Sequence, residues 1–146
     1  MDIYETLNDA LVNLFRDVMN LEEKMLVTED YQDITNNDIH VIHAIGLGKP
    51  KNMSTIAREL SVTVGSLTIA MNSLVKKGYV NRARGDKDRR VVYISLSEKG
   101  RGVYHHQEAF HRRMIDAVLD ELSNEETESL VKALAKLNQW LQSQED

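Results

Sequence analysis

The chain has 146 residues, 42% of them apolar, with a formal net charge of −5 and no cysteine. That length fits one domain with its own hydrophobic core, and the missing thiols exclude disulfides, thiolate metal sites and thiol redox chemistry. No stretch approaches the roughly 20 apolar residues of a membrane span and the acid-bearing first twenty residues do not read as a secretory signal, so a cytoplasmic protein with no membrane partner is expected.

Ile3, Leu7, Leu11, Leu14, Val18, Leu21 and Met25 recur every three or four residues. This spacing predicts one long amphipathic helix of about seven turns, whose stripe must be covered by something. Thr35 reads as an N-cap with Asp38 in the capping-box position. The helix it opens runs through Ile39, Ile42, His43 and Ile45 to the Gly46/Gly48 region, and Pro50 forbids continuation. Ser54 is expected to cap the next helix, which ends at Leu60 and buries Ile56, Ala57 and Leu60. After a break at Ser61-Val62, a further helix spans Thr63 to Lys77 and stops at Gly78. Tyr79 to Arg84 and Val91 to Leu96 read as extended segments around the charged loop Gly85-Asp-Lys-Asp-Arg-Arg90. Ser97-Glu-Lys-Gly100 starts another long helix with the apolar line Val103, His106, Phe110, Met114 and Ala117. Ser123 with Glu126 forms a second capping box, and the final helix carries Leu130, Leu134, Leu137 and Leu141 with Trp140 alongside.

Two short helices followed by a basic hairpin is the order of a winged helix-turn-helix, a helix for the major groove beside a cationic loop for a neighbouring groove. The predicted fold class is mainly α with a small β-hairpin wing (α+β), with long N- and C-terminal helices forming a dimerisation region. The acidic net charge is compatible with DNA binding because it is unevenly spread. Residues 76–101 hold nine basic and three acidic side chains, a local excess of +6 that leaves −11 for the remainder. Phosphate contact needs only that local positive face.

On the second of these helices Val64, Leu67, Met71 and Leu74 are expected to face the core. Thr63 would cap it, and Gly65, Ser66, Thr68, Ile69, Asn72, Ser73 and Lys76 would face outward. Small polar residues at the amino end permit close approach to a groove. Asn72 could read adenine, and Ile69 could meet a thymine methyl. The helix carries no arginine on this face, so A/T-rich half-sites are expected. In the wing, Asp88 could orient a neighbouring guanidinium. Arg89 is expected to project into a narrow minor groove, with Lys87 and Arg84 on phosphates and Arg90 in a structural role. No nucleophile–base pair, phosphate loop or catalytic carboxylate pair emerges, so no catalytic residue is assigned and an enzyme is not expected. His40, Glu108 and His111 could in principle meet around zinc, but no metal site and no cofactor is assigned.

Leu60-Ser-Val-Thr-Val-Gly-Ser-Leu-Thr68, Leu74-Val-Lys-Lys-Gly-Tyr-Val80 and Asp86-Lys-Asp-Arg-Arg-Val-Val-Tyr-Ile-Ser-Leu-Ser-Glu-Lys-Gly100 resemble the MarR family of winged-helix regulators. The resemblance covers essentially the whole chain. It implies one MarR-type domain over 1–146, with DNA-binding part 35–96 and helical dimerisation parts 1–30 and 100–146. Many members carry proline after the capping threonine, where this chain has Val64 and Gly65. Asp38-Ile-His40-Val-Ile42, Phe110-His-Arg-Arg-Met114 and Leu122-Ser-Asn-Glu-Glu126 look like the FabT-type branch, the fatty-acid-biosynthesis repressors. That branch implies a homodimer on double-stranded DNA at a palindromic operator, with a long-chain acyl group on acyl carrier protein as co-repressor. An acyl channel could be lined by Leu14, Val18, Leu21, Ile39, Val41, Ile42, Phe110 and Met114, each of which could equally be plain core. Two other readings stay open: a MarR-type regulator answering to an aromatic acid or zinc, and a winged-helix module that binds protein.

Overall fold

The computed structural model describes residues 2–28 and 30–144. Residues 1, 29, 145 and 146, which fall in the segments expected to dimerise, lie outside the described part. The element order is α1 (Ile3–Leu26), α2 (Asn36–Ile45), β1 (Lys51–Asn52), α3 (Met53–Leu60), α4 (Val64–Lys77), β2 (Val80–Arg84), β3 (Val92–Leu96), α5 (Glu98–Glu121) and α6 (Asn124–Ser143). The sheet is antiparallel in the order β1-β3-β2. This is the winged helix-turn-helix expected from the sequence.

Local signals set most boundaries. Thr35 and Asp38 form the reciprocal capping box of α2, and Ser123 with Glu126 does the same for α6. Thr63 caps α4 by accepting from the Ser66 N–H. Gly78 ends α4 with φ +88°, a left-handed conformation that suits glycine. Ser54 does not cap α3. Asn52, two residues earlier, accepts from the Thr55 N–H at 2.8 Å, which leaves Ser54 inside the first turn. Asn52 also pairs with Tyr93, and Lys51 with Ile94. A two-residue strand is too short to leave a periodic trace in sequence.

Residues up to Phe110 make one compact unit. Its core gathers Ile39, Ile42 and Ile45 of α2, Ile56 and Ala57 of α3, Leu67, Met71 and Leu74 of α4, and Ile94 and Leu96 of β3. Leu60 packs against it half-buried. Val64 was expected in this core but is 46% exposed, because Leu67, Met71 and Leu74, spaced four and three apart, already fill the buried face. His106 was also expected on a buried stripe. The buried line of α5 instead runs through Gly100, Val103, Gln107 and Phe110. Gln107 can be buried because its Nε2 donates to Glu22 Oε1 of α1 at 2.7 Å. His106 is exposed and meets the Tyr31 ring edge-on.

Only Glu22 and Leu26 of α1 are buried. Ile3, Leu7, Leu11, Leu14 and Leu21 of the predicted stripe are exposed. From His111 onward the chain forms a second unit, the rest of α5 with α6. Within it no residue of α6 is buried, and Leu130, Leu134, Trp140 and Leu141 are exposed. No described helix is long and apolar enough to cross a membrane.

The junction between α4, the hairpin and α5 is tightly tied. The Ser97 hydroxyl donates to the Gly78 carbonyl at 2.6 Å and accepts from the Gly100 N–H. The Ser97 N–H donates to the Tyr79 carbonyl. Tyr79 is fully buried. Its hydroxyl donates to Asp33 at 2.6 Å, which holds that carboxyl below the ordinary carboxylate range, while burial and then the same bond push the Tyr79 phenol up. Lys77 donates to Asp38 and to the Asp33 carbonyl, both at 2.8 Å. Gly100 lies so close that an added Cβ would collide with the Tyr79 carbonyl and crowd Leu96. Gly100→Ala is therefore expected to lower the unfolding free energy by about 1–3 kcal/mol, the usual cost of overpacking. Urea denaturation checks this, and unchanged stability would show that the junction yields.

Candidate nucleic-acid interface

α4 presents Gly65, Ser66, Thr68, Ile69, Asn72 and Lys76 to solvent, with Ser73 half-buried. Ile69 is 75% exposed, a position with no role in the core. The hydroxyls differ in what they offer. Thr63 accepts from the Ser66 N–H and donates to the Ser66 hydroxyl, so it serves the cap, while the Ser66 hydroxyl proton is not used in it. Thr68 donates back to the Val64 carbonyl at 2.8 Å, leaving its methyl and an acceptor for a partner. A Cβ at Gly65 would meet nothing closer than the Thr63 hydroxyl at 3.9 Å, so the local fold does not demand glycine there. What glycine provides at Gly65 is a low surface for close approach.

The wing closes over Gly85. Its N–H donates to the Val91 carbonyl at 2.8 Å, and a Cβ there would stand 2.7 Å from the Asp88 carbonyl. Asp88 does orient a guanidinium, that of Arg90. Its carboxylate accepts from Arg90 Nε at 3.1 Å, from Nη2 at 3.2 Å and from the Arg90 N–H. The Arg90 contacts hold Asp88 below the usual carboxylate range. Arg84 donates to the Arg89 carbonyl at 2.8 Å and so braces the wing. Lys76, Lys87 and Arg89 are exposed, and their side chains enter none of the bonds that fix the head. Arg89 is thus the arginine of the wing loop left for a groove.

Arg82 was counted in the sequence only as part of the basic run. Its guanidinium reaches from β2 to Asn72 on α4, ten residues earlier. Alternation along β2 places Arg82 and Arg84 on one strand face, but which helix residue that face meets is a tertiary fact. Lys77 of the same run is a structural tie to α2.

The residues named for an acyl channel are divided between core and surface. Ile39, Val41, Ile42 and Phe110 are buried, Val18 is half-buried, and Leu14 and Leu21 are exposed. Met114, in the second unit, is half-buried. His40 is exposed, and His105 pairs with Glu108 at 3.5 Å. Among the described residues no group of three or more His, Asp or Glu side chains is placed to hold a metal ion.

A solvent-facing helix of small polar residues beside an arginine-bearing wing defines the class: a winged helix-turn-helix DNA-binding regulator. Residues 24–107 match the family model described as "Transcriptional regulator SarA/Rot". The crystal structure of Streptococcus pneumoniae FabT in complex with DNA is similar with a TM-score of 0.90 and 35% identity, over 96% of this chain and 98% of that one. Among curated proteins, the transcriptional regulator PchR of Bacillus subtilis is 30% identical over 84% of this chain and 75% of its own length. The regulator YwhA of the same organism is 29% identical over 91% and 93%. The chain belongs to the SarA/Rot family of MarR-type winged-helix transcriptional regulators.

Arg89→Ala is expected to weaken binding to duplex DNA and to lower the slope of log affinity against log salt by up to about one unit, since one cation leaves the interface. Fluorescence anisotropy across a salt series measures both. An unchanged affinity and slope would remove Arg89 from the interface.

Proposed function

We propose that this regulator represses fatty acid biosynthesis genes. It binds a palindromic, largely A/T-rich operator as a homodimer, and a long-chain acyl group carried on acyl carrier protein acts as its co-repressor. The similarity to the DNA-bound FabT structure over nearly the whole of both chains carries this reading. The uncovered faces support the dimer. Ile3, Leu7, Leu11 and Leu14 of α1 are all about half exposed or more, as are Leu134, Trp140 and Leu141 of α6. A half-covered leucine has roughly 1 kcal/mol still to gain from burial, and each copy brings several. Two copies related by a two-fold axis would present two recognition helices and two wings to half-sites one helical turn apart, about 34–36 Å. The site residues assigned to DNA are Gly65, Ser66, Thr68, Ile69, Asn72 and Lys76 on α4, with Lys87 and Arg89 in the wing; Thr63, Arg84, Asp88 and Arg90 hold the two in shape. The acyl chain acts by favouring the half-site spacing that fits DNA over the one that does not.

An electrophoretic shift on a palindromic A/T-rich duplex, with and without long-chain acyl-loaded carrier protein, tests the reading. The acylated carrier should tighten binding by roughly 5–150-fold, the usual span of coupling between two sites. Weaker binding would make the acyl group a derepressing ligand, and DNA binding indifferent to the carrier would remove it as an effector.

A further inference from the structure

The bond between Arg82 and Asn72 changes what α4 can read. Arg82 Nη1 donates to Asn72 Oδ1 at 2.5 Å, and both side chains are exposed. Nothing in the core depends on this contact. It lies on the outward face of α4, where a base edge would sit. Asparagine has an acceptor side and a donor side. Reading adenine uses both, with Oδ1 accepting from the N6 amino group and Nδ2 donating to N7. Here Oδ1 already accepts a charge-assisted bond, and the guanidinium beside it repels a second donor such as the adenine amino group, so the group best placed for a partner is the Nδ2 donor. Arg82 adds its remaining N–H groups beside it. A surface made only of donors fits guanine, whose O6 and N7 are adjacent acceptors. It clashes with the amino groups of cytosine and adenine. Guanine was not expected from the sequence, because α4 carries no arginine on this face. The arginine arrives from the neighbouring strand.

We propose that Arg82 and Asn72 act as one base-reading unit that selects guanine at one position of each half-site, with Arg82 fixing which side of the Asn72 amide faces the groove. The rest of the half-site can remain A/T-rich. The inference rests on α4 being the recognition helix.

Selection of duplexes from a randomised library with the full chain tests it, followed by anisotropy titration of every single-base variant of the enriched site at fixed salt. One guanine per half-site should emerge, and replacing it should cost about tenfold or more in affinity. Asn72→Ala and Arg82→Ala should each erase the preference at that position alone, and the double variant should lose no more. Arg82→Lys keeps the charge without the planar fork and should lose most of the preference as well. Thermal melts should be unchanged in all of these variants, since both side chains are exposed. The proposal is overturned if Arg82→Ala weakens every sequence equally and lowers the salt slope by about one, which marks a phosphate contact. It is also overturned if the Asn72-dependent position enriches adenine. A library from which the unsubstituted protein enriches nothing would remove the recognition-helix reading together with it.

Discussion

The reading head depends on how the last turn of α4 is tied down. Gly78 takes the left-handed turn that lets the chain leave the helix and enter β2 directly. Ser97 closes the other end of the hairpin onto the Gly78 carbonyl, and Lys77 ties the turn to the capped start of α2. Tyr79 fills the space beneath, anchored by Asp33 and overlaid by the Lys99 ammonium 4.5 Å from its ring centre. Helix and wing therefore leave one rigid corner. Sequence reading by side chains needs positions held to within about 0.5 Å, and this corner anchors both elements at once. The run Leu96-Ser-Glu-Lys-Gly100 gains a physical account from it. Leu96 is core, Ser97 bridges the junction, Lys99 covers Tyr79, and Gly100 leaves room for the Tyr79 carbonyl.

The same corner divides the basic run into two kinds of residue. Lys77, Arg84 and Arg90 are engaged with protein carboxylates or carbonyls. Lys76, Lys87 and Arg89 are left to meet phosphate or a groove. Fewer cations thus face DNA than the local excess of +6 suggests, and the salt dependence of binding should reflect the free ones. The uncovered apolar faces of α1 and of α6 belong to a different task. A surface of that kind is what the proposed homodimer would cover.

Most of the architecture was legible because it rests on local rules. Helix period, two capping boxes, a capping threonine and a terminal glycine place α1, α2, α4 and α6 within a residue or so. The misreadings have specific causes. Ser54 and Asn52 are both good caps, and only the pairing of Asn52 with Tyr93 decides between them. His106 and Gln107 are adjacent, and Gln107 is buried only because Glu22, 85 residues away, receives its amide. Val64 fits the helical stripe by spacing, but it sits one turn beyond the end of the core. In the site, the solvent face of α4 and the wing could be named from sequence. The partners of Asp88 and Asn72 could not, since they depend on side-chain direction in a folded hairpin and on a strand-to-helix contact.

The central claim is that α4 enters a major groove while the wing of the same subunit enters the adjoining minor groove, at a separation fixed by the Gly78–Tyr79 corner. Dimethyl sulphate footprinting addresses both grooves in one experiment, because it methylates guanine N7 in the major groove and adenine N3 in the minor groove. The account predicts that each half-site shows a protected guanine N7 and, on its flank, protected adenine N3 positions that reappear when Arg89 is replaced by alanine. Guanine protection with the flanking adenines equally reactive in free and bound DNA would contradict it.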